Sequence, residues 1–202
     1  METSVATRDQ NMDKEPVFIN TQEGMSDLVD WIAGQETWLG NLQPPLYIDI
    51  EGERLSRHGK VSLLTVLVHL GKHHEHAHVI DIHTLGTVAF STVGSRGKSF
   101  KDILESTQIL KVFFDVRNDS DALYAHYGIK LQGIYDVQLM ESARRPDTGR
   151  RKFVCGLSKC TEDIPNKKER EQWRLCKGEG RNVMEPCKGR LIQRVQHTAS
   201  LR

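Results

Sequence analysis

The sequence has no long apolar run. The longest, residues 61–70, is interrupted by Ser62, Thr65 and His69, far short of the about 20 apolar residues that a membrane-spanning helix needs. Residues 1–15 are polar and acidic, which fits neither the apolar core of a secretory signal nor the Arg-rich, acid-poor character of a transit peptide. Cysteine is absent until Cys155, and only Cys160, Cys176 and Cys187 follow. A chain of 202 residues buries a core without disulfide staples, so these cysteines read as reduced thiols of an intracellular protein, nuclear or cytoplasmic. Their spacing, Cys-x4-Cys-x15-Cys-x10-Cys, lacks the paired Cys-x2-Cys knuckles of zinc sites. Aromatic residues make up only 6%, and they form no evident platform for stacking bases.

Net charge is also scarce, at +1, but the average hides a split. Residues 1–143 carry 12 Lys/Arg against 20 Asp/Glu, a net of −8, and residues 144–202 carry 16 against 7, a net of +9. An acidic body is joined to a basic tail, and a basic tail suits a polyanion.

The body alternates strand and helix signals. Val17-Phe18-Ile19-Asn20 reads as a short strand, and Thr21 as the cap of a helix over residues 25–38. Leu46-Tyr47-Ile48-Asp49-Ile50-Glu51 has the period-2 alternation of a strand. Residues 61–70 and 77–82 read as two more strands, and the short connections make the three an antiparallel meander. A helix over residues 100–106, a buried strand over 109–114, a helix over 118–127 closed by Gly128, a short strand at Ile134-Tyr135 and a helix from the cap Asp136 to Ala143 follow. This order describes an α/β fold with a mixed sheet. Segments 1–15 and 181–202 are expected to be poorly ordered, leaving 16–180 as the domain.

The sharpest chemical feature is Asp49-Ile50-Glu51. Spacing i, i+2 sets both carboxylates on one face of a strand while Ile48 and Ile50 face the other way. Like charges side by side are costly unless a cation neutralises them, and hard divalent cations take oxygen ligands. A second cluster, Asp115, Asp119 and Asp121, follows the buried strand and opens a helix. Acidic residues in a first helical turn also complement the helix dipole, so part of this cluster has a purely local explanation.

These segments together resemble the DEDD-type 3′–5′ exonucleases, the RNase D-like branch most of all. The resemblance rests on Leu46 to Gly52, Val61-Ser62-Leu63-Leu64-Thr65-Val66, Val79-Ile80-Asp81-Ile82, Lys111 to Asp119, and Gly128-Ile129 followed by Ile134-Tyr135-Asp136-Val137-Gln138-Leu139-Met140. It covers residues 17–143 and extends more weakly to about 180. It implies an RNase H-like sheet flanked by helices and phosphodiester hydrolysis with two Mg²⁺ or Mn²⁺ ions. Asp49, Glu51 and Asp119 would be the metal ligands and catalytic carboxylates, with Asp121 as fallback for Asp119. Asp136 would be a structural cap. The expected partner is the 3′ end of single-stranded RNA or DNA, with Arg54, Arg57 and Lys60 contacting phosphates.

The family's third motif, Tyr-x-x-x-Asp or His-x-x-x-Asp, has no counterpart. The last tyrosine is Tyr135, and His197 is followed by Thr-Ala-Ser-Leu. The chain thus supplies three of four expected carboxylates, as a truncated gene product or as a degenerate exonuclease retained for nucleic-acid or protein binding would. Two further features have bland readings. The tract His73-His74-Glu75-His76-Ala77-His78 is a metal candidate, but its place between two strands is that of a hairpin tip. Gly94-Ser95-Arg96-Gly97-Lys98-Ser99 ends like a phosphate loop but has Thr92 where the first glycine belongs, and reads as a flexible loop.

Overall fold

The computed structural model describes residues 16–35, 46–69, 75–163, 166–168, 170–171 and 174–175. The segments 1–15 and 181–202, Trp38, His73, His74, Cys176 and Cys187 lie outside the described residues. The chain divides into two compact units, residues 1–140 and 141–202.

The first unit is built on β1 (Val17–Ile19), β2 (Leu46–Glu51), β3 (Leu63–His69), β4 (Glu75–Asp81), β5 (Lys111–Phe113) and β6 (Ile134–Asp136). They form one sheet in the order β1-β4-β3-β2-β5-β6. The meander is antiparallel, with Asp49 opposite Thr65 and Thr65 opposite Val79. β5 runs parallel to β2, and β6 parallel to β5. The mixed α/β architecture expected from the sequence is the one observed.

Strand alternation decides which side chains form the core. In β2, Leu46, Ile48 and Ile50 are buried while Tyr47, Asp49 and Glu51 are exposed. Ile48 and Ile50 join Leu64, Val66 and Ile80 of the neighbouring strands, and pack with residues of α1 (Gln22–Gly34) and α4 (Phe100–Glu105), including Met25, Ile32, Phe100 and Ile103. Each such side chain contributes roughly 1.5–3 kcal/mol of transfer free energy. Thr21 caps α1, its hydroxyl accepting from the Gly24 N–H at 3.1 Å. Ser99 and Asp102 form a capping box on α4, so both helix starts have their backbone donors satisfied.

Several expectations shift. The second strand begins at Leu63 rather than Val61. The third ends at Asp81, because the Asp81 carboxylate accepts from the Thr84 N–H at 3.0 Å and starts the short helix α2 (Ile82–Leu85). That helix and α3 (Val88–Ser91) are four residues each, too short to show a helical period. His76 and His78 are not at a hairpin tip. They lie within β4 opposite Val68 and Val66, and their rings pack on Trp31 at 5.1 and 5.4 Å between centroids. The segment Gly94–Ser99 is not a floppy loop either. Ser95 and Arg96 donate their N–H groups to the Asp30 carboxylate at 2.9 and 3.2 Å. A Cβ on Gly94 would lie 2.3 Å from Asp30 Oδ1, so glycine permits the close approach. The anion in this loop is a side chain of α1.

Lys111 is fully buried in β5. Its ammonium donates to the carbonyls of Ile103 and Ser106 at 2.9 and 2.7 Å, satisfying orphan acceptors at the end of α4. Burial pushes its pKa down to about 8.

β6 is followed by α6 (Val137–Arg144), and the second unit contains α7 (Leu157–Cys160) and two 3-10 turns, Thr148–Arg151 and Thr161–Asp163. Arg145 organises it, pairing with both carboxylate oxygens of Glu141 and donating to the Phe153 carbonyl at 2.7 Å. Among the described residues no helix is long and apolar enough to cross a membrane.

Candidate active site

The site forms where β2 and β5 end side by side. Their ladder pairs Leu46 with Lys111 and Tyr47 with Val112. Beyond it, β2 continues through Asp49 and Glu51 while β5 stops at Phe113 and turns into α5 (Arg117–Tyr127). Asp49 and Glu51 therefore lie on the exposed face at the carboxyl end of a central strand, and α5 begins beside them.

The turn from β5 to α5 is sharp. Asp115 has φ 61, a left-handed conformation costly for a side chain other than glycine. Two contacts hold it. Arg117 donates from Nε and Nη2 to the Asp115 carboxylate at 2.6 and 2.8 Å. Asp136, at the end of β6, accepts from the Asp115 and Val116 N–H groups at 3.1 and 3.2 Å and from the Gln138 N–H at 2.9 Å. The expected helix cap is thus also the anchor of the turn that delivers Asp119, and three backbone donors converge on one carboxylate.

Asp119 lies in the first turn of α5 and is buried at 7% exposure. A helix start stabilises a carboxylate, so a purely local role would hold its pKa low. The opposite occurs. Burial pushes the Asp119 pKa up to about 7, and the charges of Asp49, Asp115, Glu51 and Asp136 add to the effect. These charges bring the two sequence clusters together: Asp119 feels both carboxylates of the Asp-x-Glu pair.

Asp121, two residues on, differs. The Arg57 side chain donates from Nε at 2.9 Å and Nη2 at 2.6 Å to Asp121 Oδ1, and the Arg57 N–H donates to Oδ2 at 2.9 Å. These bonds hold the Asp121 carboxyl below the usual carboxylate range. Asp121 pins the β2–β3 loop to α5, and a second contact, His126 Nε2 with the Ser56 carbonyl at 3.0 Å, reinforces the join. The loop itself is tight: a Cβ on Gly52 would lie 1.8 Å from the Lys60 carbonyl oxygen. Of the three basic residues singled out in this loop, Arg54 is 86% exposed, Lys60 is exposed, and Arg57 is drawn onto Asp121.

The donors fit a hard divalent cation. They are carboxylates only, and Asp119 carries charge that burial and its neighbours disfavour, whereas Arg57 and Arg117 are engaged with Asp121 and Asp115. As they stand, no three His, Cys, Asp or Glu side chains among the described residues are close enough together to hold one ion.

Comparison with known proteins is decisive for the family. Residues 16–168 match the profile of the 3′–5′ exonuclease. The chain belongs to the 3′–5′ exonuclease family. Over 99 residues it is 34% identical to the piRNA biogenesis protein EXD1 of Mus musculus and to that of Homo sapiens, covering 49% of this chain. The chain spans a small part of those relatives, 15% and 17% of their lengths. Among solved structures, Escherichia coli RNase D, an exoribonuclease involved in structured RNA processing, shares the fold. It matches with a TM-score of 0.51 and 17% identity over 75% of this chain and 34% of its own. The family match and this fold agree with the RNase D-like resemblance of the sequence.

Two parts of this site were missed in the sequence. The three-donor role of Asp136 and the Arg57–Asp121 join depend on residues 21 and 64 positions apart. Only the Asp after the β6 pattern and the Arg in a glycine-bounded loop hinted at them.

Proposed function

We propose that this chain is a metal-dependent 3′–5′ exonuclease domain acting on single-stranded nucleic acid. The observation that carries the reading is Asp119, a buried carboxyl with its pKa near 7, beside the Asp49 and Glu51 pair and without an arginine partner among the described residues. Asp49, Glu51 and Asp119 would hold two Mg²⁺ or Mn²⁺ ions. When bound, such ions activate a water and stabilise the leaving oxygen of a phosphodiester. The protein supplies the geometry. β2 fixes Asp49 and Glu51 on one face, Asp136 and Arg117 hold the turn that places Asp119, and Asp121 with Arg57 ties the loop to the helix. Arg54 and Lys60, exposed beside the strand end, would meet backbone phosphates.

A second reading has one specific observation behind it. The sequence has no Tyr-x-x-x-Asp or His-x-x-x-Asp after Tyr135, so the fourth carboxylate and the water-orienting group of the family pattern are not supplied in that form. On this reading the domain binds nucleic acid or protein without cutting.

End-labelled single-stranded RNA and DNA incubated with the protein and Mn²⁺ separate the two. Stepwise shortening from the 3′ end, abolished by EDTA and by Asp49→Ala, is the expected result. Tight binding without shortening, unchanged in Asp49→Ala, would establish the binding module instead.

A further inference from the structure

The second unit carries a paired thiol that the exonuclease reading does not use. Cys155 lies immediately before Gly156, the N-cap of α7, and Cys160 is the fourth helical residue. Hydrophobic side chains at these two positions, one before the cap and the fourth beyond it, often pack against each other across a helix start. The turn is closed by Lys159 and Cys160, whose N–H groups donate to the Gly156 carbonyl at 3.0 and 3.2 Å. It brings Cys160 Sγ to 3.9 Å from the Cys155 carbonyl. The two cysteines are half-buried and not joined in a disulfide.

Both thiols line one pocket of about 540 Å³, together with Arg145, Lys159 and Phe153. The pocket is large enough to admit a small peptide thiol. Arg145 is fixed in it by Glu141 and the Phe153 carbonyl. The Glu141 hydrogen bond holds the Arg145 guanidinium above its usual pKa, and Cys155 and Cys160 act in the same direction when ionised. Exchange proceeds through the thiolate form of cysteine, and both sulfurs share the pocket with Arg145, Glu141 and Glu162.

We propose that Cys155 and Cys160 form a dithiol modification site that exchanges with low-molecular-weight disulfides of the glutathione type and closes to an intramolecular disulfide. One cysteine thiolate attacks a sulfur of glutathione disulfide, breaking its S–S bond and releasing one glutathione thiolate. The second cysteine thiolate displaces the glutathione from the mixed disulfide and releases another. The protein gives up two electrons and two protons, and one glutathione disulfide becomes two glutathione thiols. The site is independent of the exonuclease reading.

The test uses the full chain equilibrated in glutathione redox buffers, quenched with acid, alkylated and digested with trypsin. Cleavage after Lys152, Lys159 and Lys167 separates residues 153–159 from residues 160–167. The expected product is these two peptides joined, at their summed mass less two hydrogens, replacing both alkylated peptides as the buffer becomes oxidising. In Cys160→Ser the reaction should stop at glutathione on Cys155. Glutathione retained on Cys155 and Cys160 of the same chain, a link from either to Cys176 or Cys187, or no modification would each overturn the proposal, and the wild-type map alone decides it.

Discussion

Asp119 and Asp121 sit two residues apart on one helix and meet opposite fates. Asp121 has an arginine on it, bonded through three donors, and its carboxyl is held low. Asp119 has no such partner among the described residues, lies among four other carboxylates, and is pushed up to about 7. Asp115 and Asp136 fall on the side of Asp121: one is clamped by Arg117, the other by three backbone N–H groups. In this cluster Asp115, Asp121 and Asp136, held by arginine or backbone donors, build the frame. Asp119, raised by burial and by charges that include those of Asp49 and Glu51, would form with those two the proposed cation-binding set.

The largest effect expected from this division is on catalysis. Asp119→Asn should reduce Mn²⁺-dependent shortening of a labelled strand by at least about 100-fold, the scale on which loss of positioning at a reacting centre is felt. Asp121→Asn should leave most of it. Equal losses would erase the distinction between the two residues.

Next comes the frame. Asp136→Ala leaves the Asp115, Val116 and Gln138 N–H groups without their acceptor, and loss of hydrogen bonds to a charged, part-buried group costs about 2–4 kcal/mol. Chemical denaturation should show that drop with an unchanged m-value. A stability within error of wild type would mean that the turn at Asp115 is held by Arg117 alone.

A smaller effect distinguishes Asp119 by its pH dependence. Its folded pKa, about 7, is above the ordinary aspartate value of 3.8, so the folded state holds the proton more firmly. The stability linked to that proton is full below about pH 3.8 and is lost as pH rises through about 7. In chelator, the melting temperature of Asp119→Asn should therefore gain on that of wild type between pH 5 and pH 8, and added Mn²⁺ should stabilise wild type alone. Parallel profiles for the two proteins would place the Asp119 carboxyl in an environment no different from water.

The smallest effect belongs to Arg57→Ala. The pair it breaks is largely exposed, and such pairs add little to stability. A slight fall in melting temperature should accompany a clear rise in amide exchange across residues 53–60. Unchanged exchange would mean that the His126 contact to Ser56 suffices to hold the loop.

Much of the fold was legible because it is written in short-range periods. Strand alternation marked Leu46 to Glu51 with the correct face outward, Thr21 marked the start of α1, and Gly128 marked the end of α5, where it adopts φ 63. The Asp-x-Glu pair was visible for the same reason. What stayed hidden was set by tertiary contact. No local pattern announces that β5 ends at Phe113 because Asp115 turns left-handed, or that Asp136 must hold that turn from the next strand. Lys111 fell inside the expected buried strand over 109–114 with no hint that its ammonium is a buried cap for α4. Asp119 and Asp121 were alternatives in the sequence, separated only by where a loop arginine from 64 residues away is placed.

The most direct measurement is calorimetric titration of Mn²⁺ into wild type, Asp119→Asn and Asp121→Asn at pH 7. The account predicts binding in wild type with proton release as Asp119 ionises, retained binding in Asp121→Asn, and loss of both binding and proton release in Asp119→Asn. Undiminished Mn²⁺ binding in Asp119→Asn would contradict it.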